Sequence, residues 1–512
     1  MLAGAAGVYT AVLAVCYLLG AAGIERHNVE AAGYWFAALG LLALGVGRPR
    51  RTDPVSRSVR EELPDLNPRP GGIITAAAGV TAILYGPAIP LGLFSDDFVL
   101  VERALDGSAF AFGAWEYFRP IPLAVWAALM RFEGIAPPVL HLLNLLQHAA
   151  NGVLIALLAR RLGLRRETGL AAMALALTFP AAVETVAWPS GTFDLWLVTA
   201  ALAGSLVVLS DRSTAGRAGG LSIATIAALL SKETAVVLPA VWWVVAWAGR
   251  RPARPTALAL LAPFALAAGF AAWRLQQGIP TEYAEPLSRY LAKEVVSRLF
   301  GTLLVPWSAE AVHAQPLLAV AYVLAALALT FAAIARARAQ PRIGRILIAM
   351  LLWMVASVAP VYAFFSVSPD LQGSRYVYMA STGWAVALAL SLEAWGSRSV
   401  PVRGLAGLAI AALVIGGSIG VRRHLTDWTR AAAIRDRVLA SADDVLASSG
   451  CGCVESSFSG LPDSTGGAYV FRNGFSAALG LLRRDCGRAP SIEEARCRFE
   501  WQEAGFVRSG SP

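Results

Sequence analysis

The sequence predicts an all-α polytopic membrane protein of about 13 transmembrane helices with a small α/β domain at its C-terminal end. Three observations carry this expectation. The 512-residue chain is 57% hydrophobic and only 15% charged, with a mean hydropathy of +0.58, which excludes an ordinary soluble protein of this size. Apolar runs near the ~20 residues that span a bilayer as a helix recur along most of its length. Beyond residue 421 the composition turns polar, and four of the five cysteines gather there.

Residues 1–72 hold two expected spans, 2–23 and 31–47, and a basic loop with Arg48, Arg50, Arg51, Arg57 and Arg60. The first run lacks the basic lead of a cleaved signal peptide. Residues 73–421 hold the remaining expected spans: 73–93, 138–159, 168–187, 191–210, 219–231, 234–248, 256–274, 316–335, 346–365, 376–394 and 403–421. Segments 219–231 and 234–248 are short and read as a hairpin or a broken pair. Further basic clusters occur at Arg160, Arg161, Arg165 and Arg166, at Arg250, Arg251 and Arg254, and at Arg336, Arg338, Arg342 and Arg345. An even number of spans separates successive clusters, so all fall on one face, and the positive-inside rule makes that face cytoplasmic. The N-terminus is then cytoplasmic and the C-terminus extracytoplasmic. The net charge of +9 therefore reports topology and a membrane-lipid environment, with no nucleic-acid partner.

The same count puts Asp96 and Asp97, Trp188 to Asp194, Ser231 to Thr234, residues 276–315 and Ser366 to Arg375 outside the cytoplasm. The aromatics of 94–137 predict short helices lying in the membrane interface, and the amphipathic segment 285–304 predicts another. The cytoplasmic loops are short and carry no phosphate-cradling glycine loop, which goes against an ATP-driven pump. In the tail, 422–512, Ala431 to Ser448 reads as a helix, and Tyr469 to Phe471 as a strand ending in a turn at Arg472-Asn473-Gly474. Cys451, Cys453, Cys486 and Cys497 in such a compartment predict two disulfides, with Cys451 and Cys453 each joined to Cys486 or Cys497. A four-thiolate zinc site is the alternative.

The paired carboxylates Asp96 and Asp97 directly follow the apolar run 73–93, and ionisable residues at the lip of a span mark a functional site. They also fit a plain helix end meeting water. His141, Asn144, His148 and Asn151 share one helix face by their spacing, which suits an interhelical hydrogen-bonding seam better than a metal site. Glu184, Trp188 and Asp194 flank one outer turn and are pocket candidates, although Trp188 equally fits an interfacial anchor. Lys232 and Glu233 fit an ion pair at a bend, and Arg375 fits a span anchor, against the positive-inside trend.

The order of these pieces resembles the GT-C glycosyltransferases, closest to the branch of protein O-mannosyltransferases and of transmembrane proteins with tetratricopeptide-repeat tails. The motifs are Ser95-Asp96-Asp97-Phe98; Phe118-Arg119-Pro120; His141-Leu142-Leu143-Asn144 with His148; Pro180 to Trp188 with Glu184; Leu230-Ser231-Lys232-Glu233-Thr234-Ala235; and Arg375-Tyr376-Val377-Tyr378. They span roughly 73–395. The resemblance implies inverting, mannosyltransferase-like transfer from a polyprenyl-phosphate-linked sugar to a hydroxyl of a protein or glycan, at the outer face of a bacterial-type inner membrane. It implies Asp96 or Asp97 as the base. Arg119, Lys232 and Arg375 would bind the donor phosphate, with His141, Asn144, Glu184, Trp188, Asp194, Glu233 and Tyr376 around the sugar and acceptor. No metal or cofactor is expected, because Asp96-Asp97 lacks the spaced D-x-D of metal-using relatives. The tail departs from the family in showing no 34-residue repeat, and the pair of spans before residue 73 looks like an addition. The competing classes are a transporter or lipid-linked glycan flippase, which predicts polar residues on both halves of a path, and a non-catalytic membrane scaffold.

Overall fold

The computed structural model describes residues 70–111, 118–134, 136–276, 299–361, 367–393, 400–483, 495–502 and 505–509. The expected spans 2–23 and 31–47, Cys486 and most of 285–304 lie outside the described residues. Within them, seven helices are long and apolar enough to cross a membrane: Gly71–Leu91, Pro137–Arg161, Pro189–Val208, Ala253–Arg274, Pro316–Ala339, Pro341–Val361 and Arg403–Ser448. The pair Arg166–Leu177 and Pro180–Ala187, bent by 57°, makes an eighth if it is counted as one span. The outward surfaces of these helices carry exposed Ile83, Leu317, Phe331, Leu405, Leu408 and Ile415, side chains suited to lipid and not to water.

The count among the described residues is lower than the sequence predicts, for physical reasons that differ by segment. Thr214–Leu229 has 16 residues and Leu238–Ala248 has 11, and at 1.5 Å per residue both fall short of a ~30 Å hydrocarbon core. Between them the chain leaves helical geometry at Lys232 and forms a 3-10 turn, Glu233–Val237. Tyr378–Ala389 has 12 residues, every one buried. Its apolar run therefore fills the inside of the bundle instead of facing lipid, a distinction composition alone does not carry.

The last long helix, Val400–Ser448, runs unbroken for 49 residues, so the expected span 403–421 and the expected tail helix 431–448 are one element. It is about 70 Å long, roughly twice the hydrocarbon thickness, and its second half therefore leaves the apolar bundle. Early in its course it presses on the bend between Arg166–Leu177 and Pro180–Ala187. A Cβ on Gly417 would lie 2.3 Å from the Thr178 carbonyl oxygen, so only glycine allows this approach.

After the long helix the tail forms two small sheets. Strand β1 (Ser456–Ser459) pairs in parallel with β4 (Cys497–Gln502), which pairs antiparallel with β5 (Gly505–Arg508). Strands β2 (Ser464–Thr465) and β3 (Ala468–Tyr469) make a short hairpin. The expected strand at 469–471 is thus only partly strand. Phe458 sits at the centre of an aromatic core, with ring centroids 5.2 Å from Phe475, 5.4 Å from Phe499 and 4.9 Å from Phe506. A disulfide joins Cys451 to Cys497, one of the expected pairings, and Cys453 is disulfide-bonded as well.

Non-reducing proteolytic mapping of the purified protein should yield a peptide pair linked through Cys451 and Cys497, released by reductant. Cys497→Ser should destabilise the tail by ~2–5 kcal/mol, the usual cost of losing a native disulfide, and should raise its sensitivity to protease. Free, alkylatable Cys451 and Cys497 in the untreated protein would contradict the pairing.

Candidate active site

The motif residues converge at one end of the bundle, around the turn from Leu91 to Asp97. This turn has little regular hydrogen bonding of its own, so other elements satisfy its carbonyl groups. Arg435, from the long helix, donates to Leu91 O at 2.6 Å and Leu93 O at 2.8 Å. His141 Nε2 lies 2.8 Å from Gly92 O, and Trp188 Nε1 donates to Phe94 O at 3.3 Å. Asn144 donates to Trp188 O at 2.8 Å. His141 and Asn144 are thus fully buried among backbone partners, as a seam between segments requires. His148 and Asn151 continue that seam to the Tyr378 hydroxyl, at 2.8 and 3.4 Å.

The two aspartates at the end of this turn stand in opposite environments. Asp97 is fully buried. Its Oδ2 accepts from the Phe94 amide at 2.8 Å, and its Oδ1 accepts from the Ser190 amide at 2.9 Å and from the Ser190 hydroxyl. Burial is the largest influence on its carboxyl and raises it to about 8. The Ser190 hydroxyl and the Phe94 amide pull the other way, and the Asp96 carboxylate adds to the rise. Asp96 is half-buried at the first position of the helix Asp96–Asp106. Asn473 Nδ2 donates to its Oδ1 at 2.8 Å.

Around these aspartates, each expected cation stands beside a carboxylate. Arg119 forks onto Glu233, Nε to Oε2 at 3.0 Å and Nη2 to Oε1 at 2.6 Å, and its guanidinium carbon lies 4.9 Å from the Phe193 ring centroid. Lys232 pairs with Asp194, both buried, so the expected Lys232–Glu233 pair is replaced by two pairs to other elements. Arg375 Nη1 lies 3.7 Å from Glu184 Oε1. Glu184, itself buried, also accepts from the Ser374 hydroxyl at 3.1 Å and the Arg375 amide at 3.2 Å.

Arg375 is the most open of the three. Its guanidinium lies 4.7 Å from the Trp188 ring centroid, 5.2 Å from Tyr376 and 5.9 Å from Tyr469, distances at which cation and ring attract. Its one side-chain hydrogen bond among the described residues reaches the Tyr376 hydroxyl at 3.5 Å, which leaves most of its five N–H donors unused. The Lys232 ammonium lies 5.3 Å from the centroid of the same Tyr376 ring. A small cleft beside it is lined by Asp194, Thr234, Ser357 and Tyr376. Chemically, the arrangement offers one accessible carboxylate, one open guanidinium and one buried ammonium at the end of an apolar bundle.

The tail completes the enclosure. The Tyr469 ring packs at a tilt against Trp188, centroids 4.6 Å apart, and its hydroxyl lies 3.5 Å from Glu184 Oε1. Trp428, from the long helix, packs edge-on to Phe94 at 5.1 Å. The basic turns lie at the far end, beyond the other terminus of Pro137–Arg161. There Arg342 donates to Leu162 O at 2.7 Å, and Glu393 accepts from the Arg165 amide at 2.9 Å. Sequence reasoning missed Ser190, Ser374, Arg435, Tyr469 and Asn473. Ser190 had a signal in its place between Pro189 and Gly191, a turn next to Trp188; Tyr469 and Asn473 had none linking them to Asp96.

No protein-family model and no curated protein matches the chain. Among solved structures the chain is similar to ArnT from Cupriavidus metallidurans bound to undecaprenyl phosphate, at 14% identity and a TM-score of 0.47, over 83% of this chain and 87% of that one. It is also similar to the archaeal oligosaccharyltransferase AglB from Archaeoglobus fulgidus in complex with an inhibitory peptide and a dolichol-phosphate. That match has 13% identity and a TM-score of 0.41, over 69% of this chain and 56% of the other.

The raised Asp97 carboxyl has a measurable consequence for stability. Its folded-state value of about 8 exceeds the ordinary 3.8, so the folded protein holds this proton more tightly than the unfolded chain. The stability from that proton is fully present below about pH 4 and is lost as pH rises towards 8. Asp97→Asn, which cannot ionise, should flatten the decline of thermal stability across that window in detergent. An unaltered pH dependence would show that Asp97 carries its charge when folded.

Proposed function

We propose that this chain is an integral-membrane glycosyltransferase of the GT-C kind, moving a sugar from a polyprenyl-phosphate donor to a hydroxyl acceptor. The observation that carries the reading is the gathering of Asp96 with Arg375 and Lys232, and the carboxylates that pair with these two cations, at one end of an apolar bundle whose basic turns lie at the other. By the positive-inside rule the site end is extracytoplasmic, as is the tail, in a bacterial-type inner membrane. A lipid-linked substrate suits this place: its tail can lie against the exposed apolar helices while its phosphate meets cations at the bundle's rim. The motif order favours a mannose-like sugar and a protein or glycan acceptor.

The chemistry assigns different work to the two aspartates. Asp96 Oδ2, which has no hydrogen bond to a described residue, takes the proton of the acceptor hydroxyl. The acceptor oxygen forms a bond to the anomeric carbon as the bond from that carbon to the phosphate oxygen breaks, and the electron pair leaves with the phosphate. Inversion at the anomeric carbon follows from this single displacement. Asp97, buried and held by three donors, fixes the turn to the Trp188–Gly191 segment.

The cations stabilise the charge that grows on the leaving phosphate. Arg375 has donors to spare and contacts the phosphate first, with Lys232 as a second positive charge across Tyr376. Arg119, clamped on Glu233, braces the loop that carries Lys232. The counter-acids matter before substrate arrives, because an unpaired buried charge is costly.

Two sets of variants test the reading, assayed in detergent with a defined polyprenyl-phosphate sugar. Asp96→Asn should lower turnover by ~10²–10⁴, the usual worth of a general base, with donor binding little changed. Arg375→Met should weaken donor binding and turnover together, since a phosphate ligand acts in both ground and transition states. Transfer at the unmutated rate by both variants would remove the support for this reading.

A further inference from the structure

One segment of the tail docks on the start of the helix that carries Asp96. The Ser95 amide donates to Val470 O at 3.0 Å. The Asn473 amide donates to Ser95 Oγ at 3.2 Å, and the Asn473 side chain to Asp96 Oδ1 at 2.8 Å. Phe471 stacks on Phe98 with centroids 6.0 Å apart. Gly474 has φ of +83°, and a Cβ there would lie 2.3 Å from Ser95 O, so the approach is set by the backbone. Ser95 itself has φ of +45°, a conformation disfavoured for serine and held here by bonds on both sides.

We infer that Asn473 is a positioning residue for Asp96, so that the tail is part of the catalytic unit. This rests on the glycosyltransferase reading with Asp96 as base. A carboxylate at the first turn of a helix rotates freely about its terminal bond unless one oxygen is tied. The Asn473 amide ties Oδ1, which leaves Oδ2 to face the acceptor proton. Asn473 touches no substrate in this scheme and acts through Asp96.

The test is the pH profile of kcat/KM for the full-length protein in detergent, with a polyprenyl-phosphate sugar and a hydroxyl acceptor. Asn473→Asp is nearly isosteric and keeps the packing, but it sets a second carboxylate against Asp96. The acidic limb of the profile should move up by about one pH unit or more, as for two carboxylates sharing a site. Asn473→Ala should lower kcat by about 2- to 10-fold, the worth of one modest hydrogen bond, with the donor KM unchanged. If Asp96→Asn abolishes transfer while Asn473→Asp leaves the limb in place, the positioning role is wrong and the glycosyltransferase reading stands. If Asp96→Asn transfers sugar at the unmutated rate, the assignment of the base falls and takes the positioning role with it.

Discussion

The site depends on a pairing in which Arg119, Lys232 and Arg375 are each matched by a carboxylate from another element. Arg119 and Glu233 are separated by 114 residues, Lys232 and Asp194 by 38, and Arg375 and the Glu184 side chain by 191. At the rim of an apolar bundle an isolated charge costs several kcal/mol, so each cation can be kept only where an acid is brought to it. The pairs therefore act as joints, tying the turn at Lys232 and Glu233 to Arg119 and to the helix that carries Asp194, and the segment before Tyr376 to the bent pair at Glu184. Their openness is graded: the Arg119 fork is occupied, Lys232 is buried beside its acid, and Arg375 faces Trp188, Tyr376 and Tyr469 with donors left over.

A second set of contacts fixes the carboxylate end. The carbonyls of Leu91, Gly92, Leu93 and Phe94 receive donors from Arg435, His141 and Trp188. Those donors come from three separate helical regions, so the turn is rigid although it has almost no regular structure of its own. The burial that removes Asp97 from solvent leaves its neighbour Asp96 only half-buried, and two adjacent identical residues acquire different surroundings from a rotation of about 100° along a helix. The unbroken helix Val400–Ser448 ties this turn to the tail. It supplies Arg435 and Trp428 at the site and then leads to the hairpin that brings Tyr469 and Asn473 back over it.

The apolar character of the chain, its long helices, the asymmetric placement of arginines and the identity of the charged motif residues were all legible in the sequence. They are local properties, set by composition, by spacing and by the length a helix needs to cross lipid. The seam of His141, Asn144, His148 and Asn151 was legible for the same reason, since helical spacing alone puts them on one face. The partners of Lys232 and Glu233 were not, because adjacency along the chain suggested a pair that the extended backbone at Lys232 separates. Nor was the brevity of Tyr378–Ala389 as a helix, because residues facing a protein interior and residues facing lipid are equally apolar. What only the tertiary structure decided is which carboxylate is covered and which is open, which acid neutralises which cation, and that residues some 375 positions after Asp96 come back to hold it. Each of these depends on contacts between distant segments, whose free energy comes from burial and charge pairing in three dimensions and leaves no periodic trace in the order of residues.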